Sequence, residues 1–342
     1  MAQELAEARC AGPTSVPILH LHLLQRCNLS CAHCYSASSP TARAALTREG
    51  ALGAVDLADR LGYTHLAISG GEPLLSPHLD AVLARAHSFG MHASVVTNGI
   101  QAATPANLAR LAGADSVCVS LDGIGATHDE MRGRAGAFDI ALRALVAMGD
   151  AGLNCGVSCG VSRRSLDEME AVAAVAHKAG AGFLHFHAVE ATGRALELPT
   201  ERLLARADET VLYVASHLLA QASAGHFAIH CDLLHKDRVA EAPTLLYGAS
   251  VEAGSVAGQL GVLVVEPTGL LSPVCYGFER RLSLGSLTQA IATRGASVTE
   301  ALPPVAEALA AAGAALRREL EADEEWVVFN PSAELARVAA LQ

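Results

Sequence analysis

The sequence predicts an α/β fold in which a parallel sheet is wound as a doubly wound sheet or as a complete or partial barrel. From residue 17, short β-like runs alternate with longer amphipathic segments, which tend to close near a glycine. Six β-α units in series favour right-handed crossovers between parallel strands. The predicted strands are PILHLHLL (17–24), THLAIS (64–69), MHASVVT (91–97), DSVCVSL (115–121), NCGVSCGV (154–161) and FLHFHAV (183–189).

After residue 195 the regular alternation stops. A long helical segment is predicted around 200–224, followed by a polar stretch at 230–243. Two β runs around a Pro-Thr-Gly turn predict a hairpin at 261–277, and the last forty or so residues are Ala-rich and predicted to be helical. We therefore divide the chain into a core domain, 15–195, and an extension, 196–342.

Composition excludes several classes of protein. The chain has 342 residues and a net charge of −11, which argues against a broad surface for nucleic acid or anionic membrane. No apolar run reaches the roughly 18 residues of a membrane span, and the acidic start resembles no targeting segment. We expect a soluble cytoplasmic protein with no nucleic-acid or membrane partner. Nine cysteines then favour metal ligation over disulfides.

The polar residues of interest follow the predicted strands. Cys27 comes just after the first strand, SGGEP (69–73) after the second, TNG (97–99) after the third and SLDG (120–123) after the fourth. The carboxyl ends of parallel strands meet at one edge of a sheet or one mouth of a barrel, where α/β proteins place their chemistry. We therefore expect these residues to share one site.

Three cysteines, Cys27, Cys31 and Cys34, are spaced too closely for an ordinary zinc finger. A zinc site would need a distant fourth ligand, because His33 is adjacent to Cys34 and poorly placed to bind the same ion. Three thiolates on a compact loop suit three corners of a four-iron four-sulfur cluster, whose fourth iron stays open. A cluster that only transfers electrons is normally closed by a fourth cysteine, and none is nearby.

The motifs CNLSCAHCY, SGGEPLL, VVTNG and VSLDGIGATHDEMRGRAGAFDIALRAL closely resemble the radical SAM superfamily. Within that superfamily, the motifs most resemble the branch that includes peptide-modifying maturases and haem-pathway enzymes, whose members carry a C-terminal SPASM or twitch extension. The resemblance covers 15–195 well and about 250–290 weakly. It implies a partial (βα)6 TIM-like barrel of the radical SAM type with a small C-terminal α+β extension.

The resemblance also implies a reaction. S-adenosylmethionine would bind the open iron of one 4Fe-4S cluster, and an electron from a reductant such as ferredoxin or flavodoxin would cleave it to a 5′-deoxyadenosyl radical. That radical would take a hydrogen atom from the substrate. We expect a ribosomally made peptide, modified by crosslinking, epimerisation or a related change. A small metabolite or tetrapyrrole is the alternative substrate, and a non-catalytic iron-sulfur protein is the remote alternative function.

The resemblance assigns Gly70, Gly71, Glu72 and Pro73 to the amino group of the S-adenosylmethionine methionine moiety. Consecutive glycines let backbone carbonyls approach an ammonium, and the Glu72 carboxylate can complement its charge. Without the cysteines, this segment would equally be a turn before a helix.

Further cofactor contacts are predicted in the cysteine motif and at the strand ends. His33 matches a usually aromatic position and is expected to pack on the adenine, with the Tyr35 backbone close by. Hydroxyl, amide and carboxylate groups at strand ends could hold a ribose or a carboxylate, although turn chemistry or simple burial explains them too. These residues are Thr97, Asn98, Ser120, Asp122 and Ser158.

Four residues near the sixth strand have open interpretations. His185 and His187 alternate with apolar residues, so they share one face of the strand and could point into a barrel. Glu190 and Arg194 could contact substrate, join the barrel to the extension, or form a surface ion pair.

The extension departs from the pattern of the family, whose members usually bind auxiliary clusters there. Cys275 lies at an expected cysteine position, but 250–258 contains no cysteine, and Cys231 is the only other cysteine in this half. Two thiols cannot close a four-iron cluster alone. We therefore expect one cluster in all, and a degenerate SPASM- or twitch-like hairpin at about 255–290 that covers the barrel mouth or supports substrate.

Overall fold

Six parallel strands in chain order form the centre of the computed structural model, which describes residues 16–241, 246 and 254–341. Each strand lies inside one of the runs that the sequence predicts. They are β1 (Ile18–His22), β2 (His65–Ser69), β3 (His92–Thr97), β4 (Ser116–Ser120), β5 (Cys155–Val161) and β6 (Phe183–Ala188). The predicted partial TIM-like barrel is confirmed.

Helices connect these strands and cover the outside of the sheet. The first of them shows why: the Thr47 hydroxyl caps its start by accepting from the Gly50 N–H, and Gly62, in the left-handed conformation, ends it. Its small and apolar residues fall on one face and are buried. The helices between strands are α1 (Arg48–Leu61), α2 (Leu79–Ser88), α3 (Pro105–Leu111), α4 (Ala126–Arg132), α5 (Ala137–Asp150) and α6 (Met169–Lys178).

Strands from beyond residue 195 continue the same sheet. β7 (Ala228–Cys231) pairs in parallel with β6, and β9 (Val262–Val265) pairs in parallel with β1. β10 (Leu271–Pro273) runs antiparallel to β9, which confirms the predicted hairpin. The sheet therefore has nine strands in the order β10-β9-β1-β2-β3-β4-β5-β6-β7, and the proposed division at 195/196 separates two stretches that share it.

The remaining elements close one side of the barrel. A two-stranded ladder joins β8 (Leu234–His235) to β11 (Val328–Phe329). The predicted helices at 200–224 and near the end of the chain are present, while the polar stretch contains β7, β8 and a short helix that its pattern did not predict. The helices are α7 (Arg206–Ala222), α8 (Lys236–Glu241), α9 (Val256–Leu260), α10 (Leu287–Ala292), α11 (Ala296–Ala322) and α12 (Pro331–Leu341).

Alternation along the strands separates an outer apolar layer from a barrel interior that carries several histidines. In β1, Leu19 and Leu21 are fully buried in the hydrophobic core, whereas His20 and His22 face a cavity inside the barrel. Within the described ranges, no helix combines the length and the apolar character that crossing a membrane requires.

Candidate active site

The loop after β1 gathers the three cysteines into one small cluster. Cys27 and Cys31 are buried and pack against Leu29, with Cys34 and Ile100 in contact. The Cys27 N–H donates to the Ser39 carbonyl at 3.0 Å, which folds the loop back on itself. The spacing of the motif therefore brings all three thiols to the carboxyl end of β1, as the sequence predicts.

Each of the three sulfurs accepts a hydrogen bond from a nitrogen. The Asn98 amide lies 3.6 Å from the Cys27 sulfur, and the Arg132 guanidinium lies 3.9 Å from the Cys31 sulfur. The backbone N–H of Ser38 is 3.3 Å from the Cys34 sulfur. Donors of this kind stabilise negative charge on sulfur and are typical neighbours of cluster thiolates.

The three cysteine sulfurs are spread more widely than the ligands of a single metal ion. Thiolates on one zinc ion lie about 3.8 Å apart, because each Zn–S bond is about 2.3 Å. Over the residues that the structure describes, only one trio of metal-ligating side chains falls within 4.8 Å, and it is not the cysteines. Their wider spacing suits ligands to three separate irons.

Arg194 holds the cysteine loop by three hydrogen bonds to its backbone. Its guanidinium donates to the carbonyls of Cys31 (2.5 Å) and Ser38 (2.7 Å), and its N–H donates to the carbonyl of Cys34 (2.9 Å). Gly193 beside it has φ +56, and a Cβ there would lie 2.1 Å from the Tyr35 carbonyl oxygen. The surface ion pair considered for Arg194 is therefore wrong, because this segment ties β6 to the cysteine loop.

The two glycines of GGEP make room for the same loop. The Gly71 N–H donates to the Leu24 carbonyl at 2.6 Å, and the Glu72 N–H donates to the Arg26 carbonyl at 3.1 Å. A Cβ on Gly71 would meet the Arg26 oxygen at 2.1 Å, and Gly70 combines φ +125 with a similar clash against Leu24. The glycines thus permit close backbone contact with the residues that lead into Cys27.

The Glu72 carboxylate links the ends of β2 and β3. It is 1% exposed and accepts hydrogen bonds from the Leu74 N–H (3.1 Å), the Thr97 hydroxyl (2.8 Å) and the Asn98 N–H (2.9 Å). Burial raises its pKa, an effect that these donors oppose. Pro73 starts a short 3-10 helix at 73–75. The carboxylate is thus occupied by structural contacts, and its contact with a methionine ammonium stays a prediction.

Asp122 is the centre of a buried charge network. Its carboxylate lies 2.6 Å from the Arg132 guanidinium and 3.4 Å from His33 Nε2, and it accepts from the Gly160 N–H at 3.0 Å. Burial opposes its ionisation, but Arg132, His33, His128 and the Gly160 N–H together outweigh burial and hold the pKa of Asp122 well below its usual value. Burial lowers the pKa of His33 to about 4. Contacts of Asp122 with a ribose and of His33 with adenine remain predictions.

The sequence analysis did not single out Arg132 or His128. The His128 ring accepts from the Asp122 N–H at 3.0 Å, and Arg132 bridges Asp122 to Cys31. Both belong to α4, whose His-Asp-Glu-Met-Arg sequence has the composition of an exposed helix. The helix lies within one of the motifs that carry the family resemblance, but that motif alone did not identify these two side chains.

The two predicted serines lie opposite each other on neighbouring strands. Ser120 of β4 and Ser158 of β5 are in register, and both are 8% exposed. Ser158 lines the cavity inside the barrel. The prediction that Ser158 contacts the cofactor remains open, but its side chain is accessible from that space.

A cavity of about 320 Å³ occupies the barrel interior beside the cysteine loop. Inward-facing residues of the strands form its walls, and His185 and His187 line it, which confirms that they point into the barrel. Tyr276 of the extension also lines it, with its ring 4.7 Å from the ring of His22 and 5.6 Å from that of Tyr35. The cavity is rich in histidine: His20, His22, His33, His185 and His187.

Glu190 and Cys275 contribute acidic and thiol groups to this cavity. The Asn330 amide donates to the Glu190 carboxylate at 2.9 Å. This contact joins the barrel to the extension, which is one of the three roles considered for Glu190 in the sequence analysis. Burial, together with Asp232, raises the pKa of Glu190 to about 7. Burial raises the pKa of Cys275 to about 12. The family pattern places another cysteine ligand at about 250–258, and part of that segment lies outside the described residues.

Comparison with known proteins identifies the domain that carries these features. Residues 21–176 match the model of the Radical SAM superfamily, a range that runs from β1 through α6 and includes the cysteine loop, GGEP and Asp122. Residues 21–176 form a radical SAM domain.

Two curated relatives and one solved structure illustrate the similarity. Over 159 residues the chain is 34% identical to Fe-coproporphyrin III synthase of Methanosarcina barkeri (strain Fusaro), a match of 46% of this chain and 40% of that protein. Over 165 residues it is 35% identical to mycofactocin maturase MftC of Mycolicibacterium smegmatis, 46% of this chain and 41% of that protein. The fold resembles native anSMEcpe with bound AdoMet and Cp18Cys peptide, with a TM-score of 0.58, 18% identity, and coverage of 83% and 81%.

The matched region spans less than half the length of either curated relative. Similarity of the extension to a SPASM or twitch segment remains a prediction.

Proposed function

We propose that this chain is a radical SAM enzyme that abstracts a hydrogen atom from a ribosomally made peptide. The observation that carries the proposal is the position of three hydrogen-bonded cysteines next to a cavity inside the barrel. A non-catalytic iron-sulfur carrier would not need a cavity beside its cluster.

The residues of the site fit the implied cofactors. Cys27, Cys31 and Cys34 would hold a four-iron four-sulfur cluster, and the residues around GGEP and the strand ends would hold S-adenosylmethionine. Together, after one-electron reduction, these groups supply a 5′-deoxyadenosyl radical at the cavity. The protein would orient the substrate hydrogen and shield the radical from water, because the cavity lies within the barrel and Tyr276 packs against His22 in its lining. The electron would come from a ferredoxin or flavodoxin.

The size of the cavity favours a peptide side chain over a macrocycle. Ligand pockets span about 300–1,000 Å³, and the cavity of about 320 Å³ is at the lower end. His33 and Ser158, which are predicted to contact the cofactor, line the same cavity, so only part of this space is left for substrate. One inserted side chain of a peptide suits that space, with the rest of the peptide outside. The peptide held by anSMEcpe, a protein of the same fold, and the maturase among the relatives support this substrate class.

A tetrapyrrole or another small metabolite is the second candidate, because a relative of equal similarity is Fe-coproporphyrin III synthase. The histidines of the cavity offer ligands to the iron of a metallated macrocycle. This substrate requires the cavity to widen at the hairpin that carries Tyr276.

The test is anaerobic turnover of cluster-loaded protein with a strong reductant, against panels of peptides and of tetrapyrroles. We expect 5′-deoxyadenosine in wild type and none when Cys27, Cys31 and Cys34 are all replaced by alanine. A substrate mass change only in the peptide panel would support the peptide, and one only in the tetrapyrrole panel would replace it. Wild type that forms no 5′-deoxyadenosine would refute the proposed activity.

A further inference from the structure

Two histidines and an aspartate meet inside the barrel, on β6 and just after β7. His185 and His187 are two residues apart on β6, so both side chains point to the interior. Asp232 follows β7, the parallel neighbour of β6, and its carboxylate contacts His185 Nε2. All three side chains line the cavity.

The ligand atoms of these three residues lie within 4.8 Å of one another. Nitrogen and oxygen ligands at about 2.0–2.1 Å from one tetrahedral ion lie about 3.4 Å apart. Small rotations of the side chains would therefore bring all three onto one ion. Among the residues that the structure describes, this is the only such group.

We propose that His185, His187 and Asp232 bind one divalent first-row transition-metal ion, of the zinc or iron(II) kind. Two imidazoles and one carboxylate suit these ions, and a set of three protein ligands leaves coordination positions open. The open positions face the cavity, since all three residues line it.

The arrangement of the three side chains goes beyond what a hydrogen-bonded pair of His185 and Asp232 requires. The contact between His185 and Asp232 alone would need only a proton between them. His187 adds a second imidazole on the same side, with ring centroids 5.8 Å from His185. The carboxyl group of Glu190 lines the same cavity. A pair that is only hydrogen-bonded would take up no metal.

The site gives the cavity a second way to hold a substrate. A carboxylate, thiolate or imidazole of the substrate could complete the coordination of the ion and so fix the position of the reacting side chain. This role rests on the proposed function, whereas metal binding itself does not. The two are separated because binding is measured without S-adenosylmethionine, substrate or reductant.

The experiment uses anaerobically reconstituted protein with its cluster in place, so that the cysteines do not compete for added metal. Protein is equilibrated with Zn²⁺ or Co²⁺, freed of loosely bound ions, and analysed for metal content. We expect about one ion per chain in wild type and a loss of at least tenfold in affinity in His187→Gln and Asp232→Asn. The control is His217→Gln, because His217 is an exposed residue of α7 outside the cavity.

Equal metal uptake by wild type and both cavity variants would overturn the proposal, as would no uptake by wild type. If the variants fold poorly, X-ray absorption of zinc-loaded wild type decides instead. Nitrogen and oxygen neighbours at about 2.0–2.1 Å, with imidazole scattering, would support the site, and sulfur at about 2.3 Å would refute it.

Discussion

The side-chain amide of Asn98 donates a hydrogen bond to the sulfur of Cys27, at 3.6 Å and across 71 residues of sequence. The contact connects the end of β3 to the first cysteine of the motif. A hydrogen bond to a cluster thiolate stabilises the more negative, reduced cluster and so raises its reduction potential.

Replacing Asn98 by leucine should therefore lower the potential of the cluster. Loss of a hydrogen bond worth about 0.5–1.5 kcal/mol corresponds to about 20–65 mV for one electron. The measurement is a redox titration followed by EPR, with Asn107→Leu as control, because Asn107 lies on α3 and bonds the Gln101 carbonyl. An unchanged potential in the Asn98 variant would show that the contact does not act on the cluster.

Gly71→Ala should displace the cysteine loop, since a Cβ would lie 2.1 Å from the Arg26 carbonyl oxygen. We expect less iron and sulfide after reconstitution and a lower melting temperature. Gly149→Ala is the matched control: no heavy atom lies within 4 Å of a Cβ there, and the residue is inside α5. Full cluster assembly in Gly71→Ala would mean that the loop can shift without losing its ligands.

Glu72→Gln should destabilise the protein even without cofactor. The Thr97 hydroxyl and the Asn98 N–H donate to different oxygens of the Glu72 carboxylate. In glutamine an NH₂ group replaces one of these oxygens, and an NH₂ group cannot accept a hydrogen bond. A buried donor left without its acceptor costs about 1–3 kcal/mol. Chemical denaturation of the apoprotein measures this, and a purely cofactor-binding role would leave its stability unchanged.

Arg194→Ala should weaken cluster assembly, because the loop loses two guanidinium hydrogen bonds, to Cys31 and Ser38. Iron and sulfide content after reconstitution is the measurement. Arg85→Ala provides the comparison: Arg85 pairs with Asp56 on the surface, where such pairs contribute about 0–1 kcal/mol. If both variants assemble clusters like wild type, Arg194 does not hold the loop.

Reconstituted wild type should contain about four acid-labile sulfides per chain, the content of one four-iron cluster. Sulfide content is a better measure of cluster number than iron content, because the proposed site at His185 could bind an additional iron ion. The content should persist in the Cys231→Ala, Cys275→Ala double variant. Near eight sulfides, falling to four in that variant, would establish an auxiliary cluster in the extension.

The strands and their polar ends could be predicted from sequence because both depend on local patterns. Apolar runs with period two identify strands, and a parallel sheet brings their carboxyl ends together, so Cys27, Glu72 and Asn98 were expected near one another. They do meet, but several carry structural contacts within the protein. Which atom a side chain bonds depends on packing that a motif does not specify.

The contacts that sequence reasoning missed join residues that are far apart in the chain. Arg132 reaches Cys31 across 101 residues, and Arg194 reaches it across 163. The partner of β9 was also unpredictable, because the run VLVV fits any buried strand and only the assembled sheet places it beside β1. Long-range pairing of this kind leaves no local pattern.

The pairing of β9 with β1 has a consequence for how the chain folds. Ile18 is in register with Val262, so the first strand gains its second neighbour only after about three quarters of the chain is available. Until then one edge of β1 exposes unpaired backbone groups, which attract other strands. We expect a polypeptide cut after residue 195 to aggregate, and nascent chains at that stage to need protection by chaperones.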